Sequence, residues 1–209
     1  MQDAPVDTPV DAPVLGFDTS GGWCSTAVIR GGAVLAQRHV AMTRGQAEAL
    51  MPLIEGVMTE AGVDLTELAA IGVGIGPGNF TGIRISVSAA RGLALALGIP
   101  AIGIDRFEAL ALEAAETLPL VVPALRGQVW VKPADSASDS APELHDTPPT
   151  PAISDGEGAG NIPPAHPLPV AIARLAGARR ATKQPRPAPL YLREPDAAPS
   201  AQQPPQMLA

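Results

Sequence analysis

Proline divides this chain into two regimes. Of its 24 prolines, only Pro5, Pro9, Pro13, Pro52, Pro77 and Pro100 precede residue 119, and the other 18 fall in the last 91 of 209 residues. Proline lacks an amide hydrogen and has a fixed φ, so it interrupts helices and central strands. Regular structure is therefore expected mainly before Pro119, and the stretch 133–169, rich in proline and small polar residues, is not expected to assemble a packed core. This predicts a disordered arm over 1–13, an ordered lobe over 14–118, a reduced second lobe over 119–195 and a disordered tail over 196–209.

Charge and cysteine content narrow the function. A formal net charge of -7 argues against direct gripping of nucleic acid, which needs clustered Lys and Arg to displace counterions. A role on RNA would then run through a partner. The single cysteine, Cys24, rules out an internal disulfide and a cysteine zinc site, and fits a reducing, cytoplasmic compartment. The opening "MQDAPVDTPVDAP" has neither a basic segment nor an apolar run, so it reads as neither signal peptide nor membrane span.

Within 14–118 the pattern is that of a mixed sheet. Val14 to Phe17, Ser25 to Ile29 and Ala33 to Val40, with Gly31-Gly32 between the last two, predict three strands in hairpin order. "GQAEALMPLIEGVMTEAG" sets apolar residues at spacings of three and four, a helical stripe ended by Gly62. "LAAIGVGIG" predicts a buried strand, Phe80 to Leu97 a helix, "AIGI" a strand, and "DRFEALALEAAE" a helix capped by Asp105. "TLPLVVPALRGQVWV" has room for two further strands, and "VAIARLAGARR" for a short helix. The order β-β-β-α-β-α-β-α describes an α/β fold with antiparallel strands followed by parallel crossovers, the arrangement of the ribonuclease-H-like lobe of actin and the sugar kinases.

Two loops are candidates for phosphate chemistry. Asp18, Thr19 and Ser20 follow the first strand, where a carboxylate could act through a hydrated cation and the hydroxyls on oxygens, or simply form a polar hairpin turn. Gly76, Gly78, Thr81 and Arg84 open the helix after Asn79, where a tight turn either cradles an anion or lets two elements pack closely. The loop is neither a P-loop nor a dinucleotide fingerprint. No nucleophile is paired with a base, and the histidines have no metal-binding spacing. The helices carry an ample supply of apolar surface. Ala47, Leu50, Met51, Ile54, Val57 and Met58 on the first, and Ile83, Val87, Ala90 and Ala94 on the second, suit either internal burial or association.

"LGFDTSGGWCSTAVI", "RGQAEALMPLIEGVM", "IGVGIGPGNFTGIRISVSAARGLALALGIPAIGI" and "PLYLREPDAA" together resemble the TsaB (YeaZ) family, most closely from Val14 to Leu118. The resemblance implies an actin-like pseudo-enzyme with no catalytic residue, metal or cofactor of its own. It would pair with a TsaD-type transferase, joined by a TsaE-type ATPase, to form threonylcarbamoyladenosine at adenosine 37 of tRNAs reading ANN codons, and it would form a homodimer when alone. Contact with tRNA would be indirect. The resemblance also implies that helices 45–61 and 80–97 form the partner interface, which assigns the ten apolar residues just named to it. Gln46 stands where the family often has histidine, and Pro123-Ala124-Leu125 replaces an Asp-Ala-Arg tripeptide, which leaves ATP or ADP binding in doubt. The alternatives are an ATP-dependent phosphotransferase, a glycoprotease-like enzyme, or a degenerate homodimeric module.

Overall fold

A computed structural model describes residues 11–115, 117–134, 141–156 and 160–193. The tail expected over 196–209 and most of the arm expected over 1–13 lie outside the described residues. Asp11 to Pro13 are described, and the Pro13 carbonyl accepts a hydrogen bond from the Ala69 amide at 2.9 Å.

The first sheet is the predicted one. Strands β1 (Val14–Asp18), β2 (Trp23–Arg30) and β3 (Ala33–Ala41) form an antiparallel meander, and β4 (Ala70–Gly74) and β5 (Ala101–Ile104) add in parallel, in the order β3-β2-β1-β4-β5. Gly31 and Gly32 turn the β2–β3 hairpin at φ 55° and 83°, values that glycine reaches without a Cβ clash. Helix α1 (Gln46–Ala61) ends at Gly62, whose left-handed conformation lets its amide reach the Met58 and Thr59 carbonyls. Helix α2 (Phe80–Leu97) starts from Asn79, whose side chain accepts from the Gly82 amide, and α3 (Arg106–Ala111) starts from Asp105 as predicted, with a reciprocal bond to Glu108.

The sheet is covered on both faces. On one, α1 and α2 pack Leu50, Ile54, Val57 and Ala90 against Leu15, Phe17, Val28 and Val73. On the other lies α4 (Leu168–Arg179), which buries Val170, Ile172 and Ala176 against Val14, Ile29 and Ile102. Expected within the second lobe, α4 instead completes the first. Its seat is made by absent side chains: a Cβ at Gly16 would lie 2.7 Å from the Ala173 nitrogen, and one at Gly72 2.7 Å from the Ile172 carbonyl oxygen. Only glycine in these two strands admits the helix backbone so closely.

The second sheet contains more order than the proline content suggests. Strands β6 (Leu120–Pro123), β7 (Val129–Lys132), β8 (Glu143–His145), β9 (Ala152–Ser154) and β10 (Asn161–Ile162) pair in the order β10-β9-β6-β7-β8. Three of these strands fall in the stretch 133–169 that was expected to remain outside any packed core. Each spans two or three residues with proline beyond its ends, at Pro142, Pro151 and Pro163, where no ladder hydrogen bond is lost. The apolar core is supplied chiefly by β6 and β7, with Phe107 and Leu110 beneath them and Ala152 and Ile153 added from β9.

Candidate functional site

The predicted phosphate residues meet at one place, the junction of the β1–β2 turn with the N-terminus of α2. Asp18, Thr19 and Ser20 are fully buried there. One carboxylate oxygen of Asp18, Oδ1, accepts from the Ser20 amide at 2.9 Å, the Ser20 hydroxyl at 3.0 Å and the Trp23 indole N–H at 2.8 Å. Burial pushes the Asp18 carboxyl above its ordinary pKa, opposed by the nearby Arg106 guanidinium and by these hydrogen bonds. Its other oxygen, Oδ2, faces Gly74, where an added Cβ would overlap it.

The glycine-rich loop resolves in favour of close packing. A Cβ at Gly78 would collide with the Ser20 carbonyl, and one at Gly82 with the Thr19 carbonyl. The Asn79 amide donates to the Ser20 carbonyl at 2.6 Å, and the Thr19 hydroxyl donates to the Gly82 carbonyl at 2.7 Å. The glycines let α2 seat directly on the β1–β2 turn, and both hydroxyls of that turn are engaged within the protein. Thr81 is exposed. Gly76 adopts φ 100° and passes beneath the Leu190 carbonyl. Arg84 does not face an anion: its guanidinium lies 3.8 Å over the Phe80 ring and donates to the Tyr191 hydroxyl at 2.9 Å, while Phe80 and Tyr191 stack at 4.6 Å.

Above this junction the two sheets bound a cleft of about 800 Å³. Arg106, 2% exposed, spans its floor with two hydrogen bonds to Asp155 at 3.1 and 2.6 Å and one to the Pro77 carbonyl at 3.2 Å. The Trp23 ring lies 5.1 Å from the same guanidinium. These residues carried no sequence signal as a group, because Arg106 and Asp155 are 49 positions apart and neither has a motif. Next to Trp23 in sequence, the Cys24 thiol is pushed up to about 11 by burial and by the Asp18 charge. Among the described residues no cluster of three or more His, Cys, Asp or Glu side chains could hold a metal ion.

The helix pair requires a correction. Leu50, Ile54, Val57 and Met58 of α1 and Ile83, Val87, Ala90 and Ala94 of α2 are 0–8% exposed in the lobe itself, so these eight cannot meet a partner. Their three-and-four spacing marks the stripe that faces the sheet. Only Ala47 is exposed and Met51 half-buried. The outward face of the pair consists of other residues: Pro52 and Gly56 on α1, and Ile85, Ser88, Gly92 and Ala96 on α2, with Leu95 86% exposed beside them. A Cβ at Gly56 or Gly92 would meet nothing within 4 Å. Helix α2 has the length and composition of a membrane span, yet its inner face forms part of the lobe's core.

Comparison with known proteins agrees with this architecture. YeaZ from Pseudomonas aeruginosa superposes with a TM-score of 0.63 at 26% identity, over 87% of this chain and all of that one. An uncharacterized protein of Mycobacterium tuberculosis is 30% identical over 202 residues, 90% of this chain and 95% of the relative. The TsaB proteins of Escherichia coli and Bacillus subtilis, named for tRNA threonylcarbamoyladenosine biosynthesis, are 35% and 31% identical over 98 and 120 residues. The chain belongs to the TsaB (YeaZ) family. The fold is the actin-like, ribonuclease-H-like one that the strand order indicates. The two TsaB relatives align over 47% and 56% of this chain and 42% and 52% of their own lengths. The TsaD family model, described as tRNA N6-adenosine threonylcarbamoyltransferase, matches residues 39–137, a span that contains helices α1 to α3 and strands β4 to β7 but not β1 or β2.

Proposed function

We propose that this protein is a noncatalytic partner subunit in threonylcarbamoyladenosine synthesis on tRNA, working in the cytoplasm beside a TsaD-type transferase and a TsaE-type ATPase. Kinship with TsaB proteins supports the pathway. The observation that carries the scaffold role is the outward face of α1 and α2, where Pro52, Gly56, Gly92, Leu95 and Ala96 stand exposed among Glu48, Glu55 and Arg91, and where the two mid-helix glycines have open space above them. Glycine inside an exposed helix costs roughly 0.5–1 kcal/mol relative to alanine. The lobe itself gains nothing from that cost. A second helix pair approaching closely would.

The contact surface is therefore the face carrying Gly56, Ile85, Gly92 and Leu95, with Ala47 and Met51 at its margin. The target is adenosine 37 of tRNAs reading ANN codons, reached through the transferase because a chain of net charge -7 has little attraction for RNA phosphates. An independent phosphotransferase is disfavoured by the junction's geometry, since the groups that would hold a nucleotide are engaged within the protein: Asp18 Oδ1 with Ser20 and Trp23, the Thr19 hydroxyl with the Gly82 carbonyl, and Arg84 with Tyr191 and the Phe80 ring. The test mixes this protein with TsaD-type and TsaE-type proteins of one bacterium and scores modified tRNA while following complex mass. A heterodimer with modification dependent on this chain is expected. Full modification in its absence would refute the role.

A further inference from the structure

The cleft between the sheets has a composition that partner binding through α1 and α2 leaves unexplained. The chain contains six aromatic residues, three Phe, two Trp and one Tyr, and four of them, Trp23, Phe80, Trp130 and Tyr191, line this one cavity of about 800 Å³. Leu125 at 63% exposure, Leu144 at 41% and Tyr191 at 37% stand on the same walls, a gathering of solvent-reached apolar side chains that marks a binding surface more often than chance scatter. Leu125 is presented by a turn whose next residue, Arg126, adopts φ 61°. A non-glycine residue held in that left-handed region is strained, and such strain is found preferentially at ligand clamps.

The charges of the walls define the ligand. Arg106 is neutralised by Asp155 at 2.6 Å, and Arg193 also has a partner. The Trp23 indole N–H is held by Asp18, and the amide nitrogens of Gln46 and Gln128 donate to the Met42 carbonyl and Asp146. What faces the cavity is ring surface, aliphatic side chain, and the remaining amide and hydroxyl groups. Among the described lining residues a cation would find no carboxylate, and an anion would find only Arg106 and Arg193, both already engaged within the protein, to offset its lost hydration. We propose that the interlobe cleft binds an uncharged small molecule built on a flat ring system, of a size suited to a pocket within the ordinary range of about 300–1,000 Å³. This site is separate from the outward face of α1 and α2, and the proposal does not depend on a role in tRNA modification.

Both tryptophans of the chain line the cleft, so their two indole N–H resonances report on it alone. The full-length, nitrogen-15-labelled protein is titrated with naphthalene-2-methanol, with the matched anion 2-naphthoate, and with ATP. Saturable shifts of the indole signals are expected with the neutral compound, with affinity at least about tenfold tighter than for the anion, and no saturable shift with ATP. Leu144→Asp and Leu125→Asp, both at solvent-reached positions, are each expected to weaken neutral binding by about tenfold while leaving the rest of the spectrum folded. Non-saturable shifts, equal or tighter binding of the anion, a saturable response to ATP, or undiminished binding in both variants would overturn the proposal.

Discussion

Asp18 shows how a residue that resembles a cation site serves as a structural pin. Its Oδ1 gathers three donors from Ser20 and Trp23, while burial favours its neutral form. A carboxyl whose folded pKa lies above its unfolded value stabilises the fold fully below the unfolded pKa, near the ordinary carboxylate value of 3.8, and loses that contribution as pH rises through the folded one. The stability of the wild type relative to Asp18→Asn is therefore expected to fall as pH rises from about 4, and urea denaturation at successive pH values measures the difference. No change in that difference with pH would mean that the carboxyl titrates in the folded protein as it does in the unfolded chain. Arg106 and Asp155 form the other buried pin. Asp155→Ala leaves a buried guanidinium without its carboxylate and is expected to cost about 3–5 kcal/mol, read from the same denaturation experiment. The Arg106 role could not be inferred from its own surroundings, because Asp155 lies 49 positions away. The Asp18 partners are within five residues, and what the motif leaves open is that they turn inward onto the carboxylate.

At the scale of elements, the glycines separate into two kinds that the sequence does not distinguish. Gly16, Gly72, Gly78 and Gly82 are places where another backbone arrives, and each fixes how one element sits on the next. Gly72→Ala is expected to unseat α4 and cost about 1–3 kcal/mol, the usual range for overpacking a core. Wild-type stability in that variant would show that α4 shifts without penalty. Gly56 and Gly92 face open space. Gly92→Ala is expected to raise the thermal stability of the isolated protein by about 0.5–1 kcal/mol, since alanine is the better helix former and nothing obstructs it. The helical periods of α1 and α2 were plain in the sequence, but periodicity identifies an apolar stripe without saying what covers it. Here the sheet covers it, so the residues first assigned to a partner are those least able to reach one.

The molecule as a whole is one complete lobe and one thin sheet held across a cleft by Arg106–Asp155, by Leu192 beneath the second sheet and by the Phe80–Tyr191–Arg84 stack. The first lobe was legible because β1 to β5 and their helices carry strong local patterns in chain order. Of the second, β6, β7 and the existence of α4 were legible, but β8, β9 and β10 are too short for periodicity to register, and nothing local shows that α4 crosses back to the first sheet over a long, proline-rich connection. The cleft escaped the sequence because its aromatics come from positions 23, 80, 130 and 191. The central claim, that the outward face of α1 and α2 binds a TsaD-type subunit, is tested most directly by Gly92→Arg. With the monomer's helix content and melting temperature preserved, the prediction is loss of the heterodimer, seen as a return to separate masses, together with loss of threonylcarbamoyladenosine formation. A heterodimer of undiminished affinity in that variant would contradict it.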